Sequence, residues 1–317
     1  MSLGGCLAGK TVQGFPDKST PTLPYNPETR ITKPVKTALA AITFSLSLLA
    51  GVSRALAATV TLYDGTLNSP PSNQGWIFFA PGATQTVGGG ATTLNTTAND
   101  SIRGGYTRSD NTLDRQTGYT LRFDLQLLQE NHSNPNAQNN PGTDNIADRA
   151  GLSLIVLSSD RRGIELGFWT NDANTTNRIW AQNDGAVKAD PVSAPTGTRF
   201  THAEGTSFNP GTAVNRYDLS ILGNTYNLYA NSNFNSPILS GSLRDYQNEG
   251  APYTTSNFIF LGDNTTSARG SFSLARADVT DAPIATAAAV PFDFNPTFGL
   301  LILGAWTAFS HLRTKQK

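Results

Sequence analysis

Tyr119-Thr-Leu-Arg-Phe-Asp-Leu-Gln-Leu127 carries an apolar side chain at every second residue. A pleated strand sends alternate side chains to opposite faces, so this stretch has one apolar face and one polar face. It predicts a half-buried β-strand. Outward from it, further β-rich segments fall at 59–63, 76–79, 151–157, 163–169, 178–182, 215–221, 225–230, 257–261 and 271–279. Gly, Asn, Pro and Asp clusters separate them, which is the spacing of an all-β domain. Gly223-Asn224 joins two of these segments as a tight hairpin, because both residues tolerate the positive φ that such a turn requires. No segment between residues 58 and 281 sustains a helical period.

The ends read differently. Arg30, Lys33 and Lys36 precede the apolar run Thr37-Ala-Leu-Ala-Ala-Ile-Thr-Phe-Ser-Leu-Ser-Leu-Leu-Ala50, and the small-residue site Ala55-Leu56-Ala57-Ala58 follows. A basic flank, a short apolar core and an A-x-A site are the three parts of a secretory signal, with cleavage expected after Ala57 by signal peptidase. The alternative is a buried or spanning helix, for which the run is short. At the other end an apolar stretch from Phe298 to Leu312 leads to the cationic tail Arg313, Lys315 and Lys317. This predicts a transmembrane-type helix with its tail on the cytoplasmic side; the alternative is a helix packed on the domain. Residues 282–290 form a small-residue linker. The chain therefore divides into an extension and signal (1–57), one β domain (58–281), the linker, and a C-terminal segment (291–317).

The domain holds 14 basic and 20 acidic residues, a net charge of −6, with Lys188 as its single lysine. Nothing in that balance favours nucleic acid. The chain's one cysteine, Cys6, precedes the signal, so the exported part has neither a disulfide nor thiolate chemistry.

Pro291-Phe292-Asp293-Phe294-Asn295-Pro296, followed by the apolar helix and the tail at Arg313, resembles C-terminal sorting signals of the PEP-CTERM type, in the variant opening Pro-Phe-Glu. That resemblance implies processing by an exosortase-like membrane enzyme and delivery to the cell surface. It covers about the last 27 residues, and Asp293 stands where the variant has Glu. In the domain, Trp76, then Tyr119 to Asp124, Ala150-Gly-Leu-Ser-Leu-Ile-Val156 and Gly163-Ile-Glu-Leu-Gly-Phe-Trp169, resemble the strand order of concanavalin A-like (laminin-G-type) jelly rolls. Phe258 to Ala268 and Ser271 to Arg276 are similar to their closing strands, which return beside the N-terminal strand. The domain also resembles those grouped as "choice-of-anchor". The implied fold is a two-sheet antiparallel jelly-roll sandwich, flanked by the signal helix and the C-terminal helix.

Catalytic patterns are sparse. Jelly-roll glycosidases need two carboxylates about 5–10 Å apart, commonly on alternate positions of one strand. The only glutamate in a clear strand, Glu165, has Gly163 and Gly167 as its i±2 neighbours, so it is expected on the solvent face. His132 and His202 lie outside any nucleophile elbow or zinc spacing and are expected at the surface. A non-catalytic protein is expected. Extracellular calcium sites take Asp, Asn and backbone oxygens from loops, and Asp144, Asn145 and Asp148, together with Asp263 and Asn264, offer these for a structural Ca²⁺. Equally, Asp and Asn are simply common in turns. Trp76, Trp169, Trp180 and Tyr253 are candidates for a sugar-stacking platform, against the alternative that they are core. The functional expectation is an exported, surface-anchored protein that binds glycan or matrix material. The alternatives are an adhesive domain without a dedicated ligand and a polysaccharide-degrading enzyme.

Overall fold

Two sets of side chains alternate along these strands, and burying one set requires a second layer. The computed structural model describes residues 57–131, 149–170, 177–185, 199–266 and 268–285. They form β1 (Thr59–Asp64), β2 (Ile77–Phe79), β3 (Thr84–Gly88), β4 (Ala91–Asn95), β5 (Gly104–Arg108), β6 (Tyr119–Asn131), β7 (Ser153–Leu157) and β8 (Gly163–Trp169), then β9 (Arg178–Asp184), β10 (Arg199–Ser207), β11 (Asn215–Leu222), β12 (Thr225–Ala230), β13 (Leu239–Ser242), β14 (Phe258–Asp263) and β15 (Arg269–Thr280). One sheet runs β13-β12-β11-β6-β15-β4-β3, with β1 also on β15; the other runs β10-β9-β8-β7-β14-β5-β2. Every named strand pair is antiparallel. The protein is thus an all-β, two-sheet antiparallel sandwich. β1 lies beside β15, Thr59 opposite Thr280, as the closing strands imply.

The alternation at Tyr119–Leu127 sets the core. Tyr119, Leu121, Phe123, Leu125 and Leu127 are buried, and they meet Leu154, Val156, Ile164, Leu166 and Phe168 from the other sheet. The predicted hairpin forms between β11 and β12, Leu222 opposite Thr225, with Gly223 at φ 60°. β3, β4, β5, β10 and β13 were not expected. β5 opens on Gly104-Gly105, and Gly105 is required: a Cβ there would lie 2.4 Å from the Phe260 ring on the adjacent strand.

The outer face of the eight-stranded sheet is ionic. Arg122-Phe-Asp124, Arg216-Tyr-Asp218 and Arg276-Ala-Asp278 sit on adjacent strands in register, so Asp124 faces Arg216 and Arg276 while Arg122 faces Asp218 and Asp278. Within strands, Arg216 pairs with Asp218 at 2.7 Å and Arg276 with Asp278 at 2.6 Å. Arg122 pairs with Asp124 and reaches across to Asp278 at 3.6 Å. Each charge has opposite charges as neighbours, which favours this register over a slipped one.

The apolar run Thr37–Ala50, the sorting residues Pro291, Phe292, Asp293, Phe294, Pro296 and Arg313, and the loop bearing Asp144, Asn145 and Asp148 lie outside the described residues. Among the described residues no helix is long and apolar enough to cross a membrane.

Candidate functional site

The outer face of the seven-stranded sheet is where the polar and aromatic candidates gather. Ile155, Leu157, Phe258 and Phe260 alternate with core residues and point away from the sandwich centre, where Tyr246 and Tyr253 cover them. The segment from Arg244 to Asn257 therefore crosses this face as a strap. Its Arg244 backbone pairs with Gly163 through N–H to O contacts of 2.7 and 3.0 Å, and the Tyr246 hydroxyl donates to the Gln182 carbonyl at 2.6 Å.

Beneath the strap lies Glu165, fully buried. The expectation of a solvent-face residue is corrected here: the strap turns the outer face of β8 into a second interior. The Glu165 carboxylate accepts from Arg149 at 2.8 Å, from the Tyr253 hydroxyl at 2.6 Å and from the Asn264 amide at 3.2 Å. A buried carboxylate is tolerable only with such partners. Burial works against the Arg149 charge, but Glu165 and Tyr253 outweigh it and hold its pKa above the ordinary value. Burial, reinforced by the Glu165 charge, raises Tyr253 well above a free phenol, so it remains a donor. Phe200, whose backbone takes φ 61°, lays its ring 4.1 Å from the Arg149 guanidinium carbon.

Next to this cluster the face opens into a cleft of about 590 Å³. Ile77 and Phe79 from edge strand β2 stand on its rim, 69% and 48% exposed. Phe258, Phe260 and Ile155 line it, together with Phe200 and Tyr253; its polar lining comes from Arg103, Thr107, Arg149, Glu249, Asp263 and Asn264. An apolar concavity with a few convergent polar groups is the common form of a small-molecule site.

The sequence-predicted site residues separate. Tyr253 and Asn264 enter the cleft wall with Asp263. Trp76 is buried in the main core, donating its indole N–H to the Leu62 carbonyl at 2.8 Å, and so offers no open stacking face. Trp169 is likewise fully buried. Trp180, partly exposed, stacks on His202 at 4.6 Å, and Trp169 meets the same ring edge-on at 4.9 Å. His202 is thus a packed residue between two indoles, which corrects the surface assignment. Phe79, Phe260 and Arg149 were missed by sequence reasoning; the exposed aromatic in a three-residue strand beside Trp76 was the available signal.

Asp263 fits a cation poorly. Its carboxylate accepts from the Thr96 hydroxyl at 2.6 Å and the Thr265 N–H at 3.1 Å. Burial pushes its pKa up to about 7, against the pull of Thr96, Thr265 and Arg149. The Asn264 amide nitrogen donates to Glu165, which leaves its oxygen as a single further ligand. A calcium site needs several anionic or carbonyl oxygens, and among the described residues no group of three or more His, Cys, Asp or Glu could hold a metal ion. Asp263 and Asn264 alone do not make one.

No family model matches the sequence, and no curated protein matches it. Solved structures are similar in shape. The Emp46p carbohydrate recognition domain in its metal-free form is 10% identical, covering 71% of this chain and 97% of its own at a TM-score of 0.40. The Ca²⁺-bound VIP36 exoplasmic/lumenal domain is 10% identical, covering 72% and 93% at 0.42. A Bacillus subtilis protein of unknown function with a galectin-like fold is 10% identical, covering 71% and 94% at 0.37. The assignment of the sandwich rests on the strand pairing above, and the role of the cleft on its own geometry.

Proposed function

We propose that this chain is an exported, surface-anchored and non-catalytic β-sandwich protein whose outer-face cleft binds a glycan. One observation carries the proposal: an open, aromatic-rimmed concavity whose polar groups are held in place by a buried network. A pyranose ring has an apolar C–H face and a polar edge of hydroxyls. Phe79 on the rim suits the first, since the negative face of an aromatic ring attracts C–H groups. Thr107, Asn264 and Glu249 suit the second. A hydrolytic role is disfavoured because both oxygens of Glu165 are engaged by donors, and no carboxylate shares its face two residues away along the strand.

Export and anchoring are supported by the N-terminal signal pattern and by the Pro291–Pro296 motif with its cationic tail. In this proposal signal peptidase and an exosortase-like enzyme are the processing partners, and the C-terminal segment engages the membrane.

A glycan array, run with and without calcium, tests the binding role. The expected result is binding to at least one glycan class, lost by tenfold or more in Phe79→Ala. Because Phe79 is half exposed, the variant's stability is expected to stay within about 0.5 kcal/mol of the parent's. Binding that survives Phe79→Ala undiminished would remove the cleft from the account.

A further inference from the structure

Arginine in this domain is almost always spoken for. Among the described residues nine arginines form ion pairs with Asp or Glu. Arg161 bonds to Gln247 at 3.0 Å, and Arg178 lies 5.4 Å from the Trp180 ring. Arg103 differs. Its backbone is fixed by a bridge to Gly82 just before β5, yet its exposed side chain has no ion pair, hydrogen bond or ring contact among the described residues. Arg103 lines the cleft.

In a domain with a six-charge acidic excess, a cation without an internal counterion at the mouth of a concavity has a chemical meaning. Arginine presents a planar fork of donors that matches a carboxylate in bidentate geometry. The second guanidinium of the cleft, Arg149, is balanced by Glu165 and held by Phe200, so it supplies donors rather than net charge. Glu249 and Asp263 also line the cleft, and neither pairs with Arg103; the Asp263 oxygens already accept from Thr96 and Thr265. Among the described residues Arg103 therefore keeps its charge for a ligand.

Building on the glycan-binding proposal, we propose that the cleft selects carboxylated sugars, with Arg103 binding the carboxylate of a uronate residue while Phe79 packs against its ring. The test uses gluco-, galacto-, manno- and guluronate oligosaccharides, each paired with its carboxyl-reduced neutral counterpart, titrated against the full chain and its Arg103→Gln and Phe79→Ala variants. At least one uronate is expected to bind about tenfold or more tighter than its neutral counterpart, a fair return for one charge-assisted pair. The preference should shrink as salt is raised and vanish in Arg103→Gln. That variant should keep the parent melting temperature, since it breaks no side-chain contact among the described residues. Equal affinity within every pair, or a preference that survives Arg103→Gln, overturns the selection. If neutral sugars bind and Phe79→Ala abolishes that binding, the glycan-binding proposal stands and only the uronate assignment falls. If no member of any pair binds, the uronate assignment falls, and the glycan array decides the glycan-binding proposal.

Discussion

Asp263 and Glu165 are two buried carboxylates of the seven-stranded sheet, and their surroundings treat them differently. Glu165 has a guanidinium at 2.8 Å and keeps company with two further donors. Among the described residues Asp263 has only a hydroxyl and a backbone N–H as direct partners, and burial moves its pKa from 3.8 to about 7. The folded state then holds the Asp263 proton more tightly than the unfolded chain does. Its unfavourable contribution is absent below about pH 4, grows as pH rises towards 7, and is complete above that, with a slope of up to about 1.4 kcal/mol per pH unit. Asp263→Asn removes this dependence. Thermal unfolding between pH 4 and 8 should show the wild type losing stability relative to the variant as pH rises. Parallel profiles would mean that Asp263 is ionised at little cost.

At the scale of strands, the Arg-x-Asp repeats on β6, β11 and β15 form an alternating lattice of charge. Asp278, 5% exposed, serves both Arg276 and Arg122, whereas Asp245, 37% exposed, meets Arg162 at the surface. Removing a partner of a nearly buried ion leaves desolvated charge behind, and removing a partner of an exposed one does not. Arg276→Ala, which takes one partner from Asp278, is expected to cost about 1–3 kcal/mol in denaturant unfolding, and Arg162→Ala less than about 1 kcal/mol. Equal losses would show that burial does not govern these pairs. The sequence holds four Arg-x-Asp triplets, and only pairing register reveals that three of them adjoin. Strands with strong alternation, such as β6 and β8, were legible for the same reason that they form the core. β3 and β4 were not, because Thr-Gln-Thr and Thr-Thr offer little apolar contrast, and β10 was not, because Arg-Phe-Thr-His-Ala-Glu alternates weakly. β13 is only four residues long.

At the scale of the whole molecule, the site is a product of topology. Glu165 finds its partners 16, 88 and 99 residues away in the chain, and the cleft joins β2, β5 and β14 to a strap that precedes β14. Periodicity and local motifs carry no information about such distances. This explains why Glu165 was expected at the surface and why Phe79 and Arg103 drew no notice. The proposed targeting segments are the opposite case, since the patterns that suggest a signal peptide and a sorting motif are local by nature. They make a prediction at this scale: deleting Pro291–Lys317 should move the domain from the cell surface into the medium, as judged by fractionation. Unchanged cell association would remove the sorting role.

The most direct test of the central claim is to map bound glycan onto the fold by backbone and side-chain chemical shifts. A saturating oligosaccharide should perturb Ile77, Phe79, Arg103, Thr107, Phe258 and Phe260 on the outer face of the seven-stranded sheet. Perturbations gathered instead on the ionic face around Arg122, Asp218 and Arg276, with the cleft silent, would contradict it.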